Sequence, residues 1–140
     1  MTFTLSVEGL PLPVSDTLIH QLHQQLDQVR LDDLSRLLTL TFQDTSYNAV
    51  DGGFHPVEIG LEKRTEHWHI NYITDFAYLG YPAELEKEID FDFLNKVFTH
   101  MLTGTLSESK ATDLYQLWET NFLSYLQLEV YDDIQVELEK

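Results

Sequence analysis

The chain has 140 residues, with 24 Asp and Glu against 8 Lys and Arg, 6 His and a formal net charge of −16. That balance repels nucleic-acid phosphates and anionic lipid, and no basic stripe with interleaved aromatics relieves it. A hydrophobic share of 43% excludes a disordered acidic tail, and the chain has no run of about 18 apolar residues that could span a membrane.

In chain order, Phe3, Leu5 and Val7 alternate with polar residues and predict a short first strand. Leu10 to Val14 reads as an extended connector, because proline and the residue before it disfavour helix. Ser15 is a good N-cap and Asp16 suits the positive end of the helix dipole. Leu18, Leu22, Leu26 and Val29 recur at helical spacing, so an amphipathic helix is predicted from 15 to about 30.

From Leu38 the period changes to two, with Leu38, Leu40 and Phe42 against Thr39 and Thr41. Asp44 to Gly53 is a polar loop. Val57, Ile59 and Leu61 then alternate with Glu58 and Glu62, and Trp68, Ile70 and Tyr72 with His69 and Asn71. Gly80-Tyr-Pro82 turns the chain into Glu84-Leu-Glu-Lys-Glu-Ile-Asp-Phe-Asp-Phe93. Here Glu84, Glu86, Glu88, Asp90 and Asp92 hold every even position, which predicts one strand whose wet face carries five acids.

A further short strand is predicted around Val97–Leu102. Ser107 or Ser109 can cap a helix running to about Leu128, apolar over more than half its circumference. Such a helix needs cover from two directions. One is the sheet; the other is the first helix or a second chain, which makes Trp118, Phe122 and Tyr125 the expected contact of a homo-oligomer. Ile134, Val136 and Leu138 alternate with Asp133, Gln135, Glu137 and Glu139 and close the chain as a strand.

Consecutive strands without crossover helices predict an α+β fold in a single domain, residues 1–140. Its antiparallel β-meander sheet is covered on one face by an N-terminal and a C-terminal helix. Three strands would then present acids on the uncovered face: Glu58 and Glu62; Glu84 to Asp92; Asp133, Glu137 and Glu139. This face either solubilises the protein or binds a basic partner.

Conventional chemistry finds little support. His67 and His69 share one side of a strand, and His55 or Glu66 could add a ligand, but no third ligand stands at a diagnostic spacing. Surface histidines with pKa values raised by neighbouring acids are expected instead, and no metal or other cofactor. Asp75, a lone acid among apolar residues, is either a buried general base or a ladder-end acceptor. There is no cysteine, no Gly-x-Ser-x-Gly, no phosphate loop and no dinucleotide fingerprint, so no enzyme is expected.

Thr41-Phe-Gln-Asp44, Gly52-Gly-Phe-His-Pro-Val-Glu-Ile59, Tyr72-Ile-Thr-Asp-Phe-Ala-Tyr78 and Ile89-Asp-Phe-Asp-Phe93 form one half of a combined pattern. Leu114-Tyr-Gln-Leu-Trp118, Asn121-Phe-Leu-Ser-Tyr125 and Val130-Tyr-Asp-Asp-Ile-Gln-Val136 form the other. Together, over residues 38 to 137, they resemble a family of small bacterial proteins known as a domain of unknown function. That family is similar in fold to the mitochondrial acidic matrix protein, or complement globular-head-binding protein. The resemblance implies an antiparallel sheet flanked by terminal helices, an acidic face, self-association as in the ring-like trimers of those relatives, and many partners without known catalysis.

Three functions are therefore in view. The first is a non-enzymatic, cytoplasmic interaction protein binding a basic protein partner, with no direct nucleic-acid or membrane binding. The absence of cysteine and of a basic-then-apolar leader carries the compartment. The second is a DNA mimic, since alternate strand residues advance about 6.6 Å, near twice the spacing of about 3.4 Å between phosphates. The third is an enzyme or metal protein using His55, His67, His69 and Asp75, in its metal-dependent form His55, His67 and His69.

Overall fold

The structure, a computed structural model, describes residues 4–30 and 34–139; Phe3 of the expected first strand lies outside them. Among the described residues, two helices, α1 (Asp16–Leu26) and α2 (Glu108–Gln127), accompany seven strands. These are β1 (Leu37–Gln43), β2 (Val57–Arg64), β3 (His67–Leu79), β4 (Glu84–Asp92), β5 (Val97–His100), β6 (Gly104–Thr105) and β7 (Asp133–Glu139).

Both helices start where their caps dictate. Ser15 Oγ accepts the Leu18 amide at 3.1 Å and Ser107 Oγ accepts the Lys110 amide at 3.3 Å, each satisfying an orphan donor of a first turn. The expected first strand contracts to one parallel bridge, in which Leu5 pairs with Trp68 beside the start of β3. The expected strand near Val97 divides into β5 and the two-residue β6.

The sheet order is β6-β5-β4-β3-β2-β1-β7, antiparallel throughout. This is a meander whose last strand returns to pair with the first, Leu40 facing Val136 and Phe42 facing Ile134. One face carries the core: Leu38, Leu40, Phe42, Ile59, Leu61, Trp68, Ile73 and Phe91 are buried with Leu18, Leu22 and Leu26 of α1 and Tyr115 and Phe122 of α2. The aromatic rings interlock, Phe42 meeting Phe122 edge-on at 5.1 Å and Phe91 meeting Tyr115 at 5.2 Å. Each such side chain contributes about 1.5–3 kcal/mol by leaving water. Trp118 and Phe122 are 6% and 1% exposed within this core, so the oligomer contact expected of them is unavailable; Tyr125 stays partly buried against Phe54.

Two bulges set the sheet's parity. Gly60 faces Tyr72 while Leu61 faces Ile70, which leaves Asn71 as the extra residue of β3. Asp75 faces Ile89 while Phe76 faces Lys87, which leaves Glu88 as the extra residue of β4. A one-residue insertion flips every side chain beyond it to the other face. Asp90 and Asp92 therefore lie on the outer face opposite Thr74 and Tyr72, while Glu84 and Glu86 share the helix side with Leu79 and Ala77. Lys87 takes the outer position that periodicity gave to a carboxylate, 4.0 Å from Asp90. The expected single row of five acids on β4 is thus divided by the bulge at Glu88.

Candidate functional site

Two places carry chemistry: the outer face of the sheet, and a cleft on its helix side. On the outer face the pairing brings together Glu58, Glu62, Asp90, Asp92, Asp133, Glu137 and Glu139. Several are held by neighbours. Glu58 accepts the Tyr72 hydroxyl at 2.6 Å, Asp90 accepts Thr74 Oγ1 at 2.7 Å, and Asp92 accepts the amide and side chain of Asn95 at 2.9 Å each. Tyr72 lies flat across Gly60, where a Cβ would fall 2.1 Å from the ring, so glycine is the residue that lets the tyrosine reach Glu58. Burial and the Glu58 carboxylate together push the Tyr72 hydroxyl pKa well above the ordinary tyrosine value.

His67 and His69 stand on this outer face, opposite Arg64 and Glu62. The expectation of acid-raised histidines fails at His69. Desolvation and the Arg64 charge lower its pKa, and Glu62 is itself engaged by Arg64 at 3.1 Å. His55 is not near this pair in the sheet, so the set His55, His67 and His69 is not assembled.

His55 instead meets the bulge residue. Its Nδ1 donates to Glu88 Oε2 at 2.6 Å and lies 3.4 Å from Asp75 Oδ1. Asp75 is held from behind by Trp118, whose Nε1 donates to Oδ2 at 3.0 Å. Asp75 Oδ1 is buried and accepts no hydrogen bond among the described residues. The Asp75 carboxylate, together with the charge of Glu88, raises the His55 pKa above 6.5 against the opposing effect of partial burial. The group faces a cleft of about 300 Å³ walled by Leu114, Leu117, Trp118, Asn121, Tyr125 and Tyr131.

The loop before β2 places the imidazole. Asp44 accepts the amides of Ser46 and Phe54, both at 3.0 Å, and closes the loop as an Asx turn does. Tyr47 packs its ring 5.1 Å from His55 and accepts the Tyr78 amide at 2.9 Å. Gly53, at φ +141°, passes where a side chain would strike the Tyr47 backbone at 2.9 Å.

Sequence reasoning missed a second polar group. Glu119, 7% exposed, accepts the Tyr115 hydroxyl at 2.7 Å and the Ser15 amide at 3.1 Å, joining α2 to the start of α1. A charged residue between two apolar positions of the helix, Trp118 and Phe122, was the available signal.

These features define a small acidic α+β protein with an open seven-stranded antiparallel sheet and two helices on one face. The chain belongs to the family described as "Protein of unknown function (DUF2787)", which it matches over residues 16–137. Two solved structures from Vibrio cholerae are similar. The hypothetical protein VC0508 from the VSP-II pathogenicity island is 39% identical with a TM-score of 0.89, covering 98% of this chain and 99% of that one. The conserved hypothetical protein VC1805 from pathogenicity island VPI-2 is also 39% identical, with a TM-score of 0.84 and coverage of 95% and 99%. VC1805 is described as sharing structural homology with the human P32 protein, the mitochondrial acidic matrix protein to which the sequence pattern pointed. A search of curated proteins returns no match. No helix among the described residues is long and apolar enough to cross a membrane.

Proposed function

We propose that the protein is a non-enzymatic acidic interaction module that binds a basic protein partner through the outer face of its sheet. One observation carries this reading: both helices pack on the opposite side, and the face they leave uncovered gathers seven carboxylates from β1's two neighbours and from β4. Among the described residues, ion pairs on this face join Arg64 to Glu62 and Lys87 to Asp90, which leaves a clear excess of negative charge. A field of one sign over a flat surface steers a partner of the other sign and raises its association rate. DNA mimicry is less favoured, because the bulge at Glu88 leaves Asp90 and Asp92 as the carboxylates of β4's outer row, with Lys87 beside them.

The test uses a lysine-rich peptide as probe and two variants of equal charge. One neutralises the outer face with Asp90→Asn, Asp92→Asn, Glu137→Gln and Glu139→Gln. The other neutralises Asp51→Asn, Glu84→Gln, Glu86→Gln and Asp113→Asn elsewhere. Binding weakened at least tenfold more by the first than by the second supports the reading. Equal weakening would reduce the face to a contribution to net charge, and competition by duplex DNA for the protein's own partner would favour mimicry.

A further inference from the structure

We propose that His55, Asp75 and Glu88 form a binding site for one divalent first-row transition-metal ion on the helix side of the sheet. Each offers one ligand atom, and the three atoms lie within 4.8 Å of one another. A zinc-like ion with bonds of about 2.0–2.2 Å separates its ligands by roughly 3.0–3.5 Å. The His55 Nδ1 to Asp75 Oδ1 distance of 3.4 Å already fits, and the 2.6 Å contact to Glu88 must open by less than about 1 Å. Glu88 can make that movement, because its side chain is 25% exposed.

The site has more acceptors than its own hydrogens can satisfy. One Nδ1–H faces two carboxylates and donates to Glu88, leaving Asp75 Oδ1 buried, 3.4 Å from the same nitrogen and without a hydrogen bond among the described residues. A buried acceptor in that state is unfavourable, because it has given up water without gaining a donor. A cation that replaces the proton would engage all three groups at once, its two positive charges balanced by two carboxylates beside a neutral imidazole.

The surroundings are those of a ligand set rather than a chance ion pair. Trp118 Nε1 orients the second oxygen of Asp75, as outer donors do for metal carboxylates. The bulge that reverses β4 turns Glu88 inward toward Asp75, and bulges commonly re-aim a side chain beside a site. Imidazole with two carboxylates suits zinc, manganese or ferrous ions better than calcium or magnesium, which take oxygen ligands. Three protein ligands leave further coordination positions toward the cleft, where water or a small donor can complete the shell. This site is independent of the outer face, and it differs from the His67 and His69 pair on which the expectation of no metal was based.

The experiment is calorimetric titration of zinc chloride into the full chain, stripped by chelator and dialysed, at pH 7.5. One equivalent should bind, with affinity lowered at least tenfold by Glu88→Gln and by His55→Ala and unchanged by the double change His67→Ala, His69→Ala. Far-UV circular dichroism checks that each variant is folded, and visible absorption of the cobalt-loaded protein reports the ligand set without reference to stability. Weak heat without stoichiometry would overturn the proposal. So would a one-to-one site that survives both Glu88→Gln and His55→Ala, or equal binding of magnesium chloride.

Discussion

Replacing Trp118 by phenylalanine tests how firmly the helix side of the sheet is tied together. The indole is 6% exposed, stacks on Phe122 at 4.9 Å with a 14° tilt, and donates Nε1–H to Asp75 at 3.0 Å. Phenylalanine keeps a ring against Phe122 and removes the donor. A hydrogen bond to a charged acceptor is worth about 1.5–3 kcal/mol, and its loss leaves the Asp75 carboxylate with only the 3.4 Å approach of His55 Nδ1 to Oδ1. The smaller ring adds a cavity of roughly 40 Å³, or about 1 kcal/mol at about 24 cal/mol per Å³. The sum is about 2.5–4 kcal/mol, a fall in Tm of about 8–14 °C for a chain of this size. Urea denaturation in the presence of chelator measures it, with Trp68 as the remaining fluorophore because the chain holds two tryptophans. In a double-mutant cycle with Asp75→Ala the two changes should couple by about 1 kcal/mol or more. A Trp118→Phe variant within about 0.5 kcal/mol of the parent, or strict additivity in the cycle, would refute the bond as a stabilising tether.

Two further outcomes follow from buried or paired polar groups. Glu119→Ala should cost about 2–5 kcal/mol, because it strands the Tyr115 hydroxyl and the Ser15 amide, whereas Glu119→Gln keeps an acceptor and should cost less than half as much; equal losses in urea would show that the two donors are not at issue. His55 faces Asp75 from β3, Glu88 from β4 and the Tyr47 ring, and its folded pKa is raised above 6.5. The native state therefore holds the proton more tightly, so this contribution to stability is complete below about pH 6.5 and is lost as pH rises through the folded pKa. In chelator-treated protein the stability gap between the parent and His55→Ala should narrow from pH 6 to pH 8, and a gap that widens would contradict the ion pair.

Most of the fold was legible because its signals are local. Ser15 and Ser107 cap the helices the sequence assigned to them, since a cap depends on a hydroxyl and the next three residues. Alternation placed β1, β2, β4 and β7, since a half-buried strand must repeat every two residues. The combination of motifs from Thr41 to Val136 was enough to point to the family. The His55 site was much less legible. His55 and Glu88 are 33 positions apart, and nothing local to either records the other. Asp75 was visible as an unusual acid, without its partners.

What the sequence determined by itself was the order of elements, which residues alternate or cap, and a surface of strong negative charge, because each depends on neighbours within one turn or one pleat. Only the tertiary structure decided which face each acid occupies. A period of two fixes alternation but not its phase after an irregularity, and the phase at Glu88 is set by pairing with Asp75 and Phe76 on another strand. That one extra residue separates Asp90 and Asp92 on the outer face from Glu88 in the cleft. The same rule governs burial on α2: Trp118 and Phe122 could cover a partner or a core, and the chain's own sheet, with Phe42 and Phe91 facing them, took both.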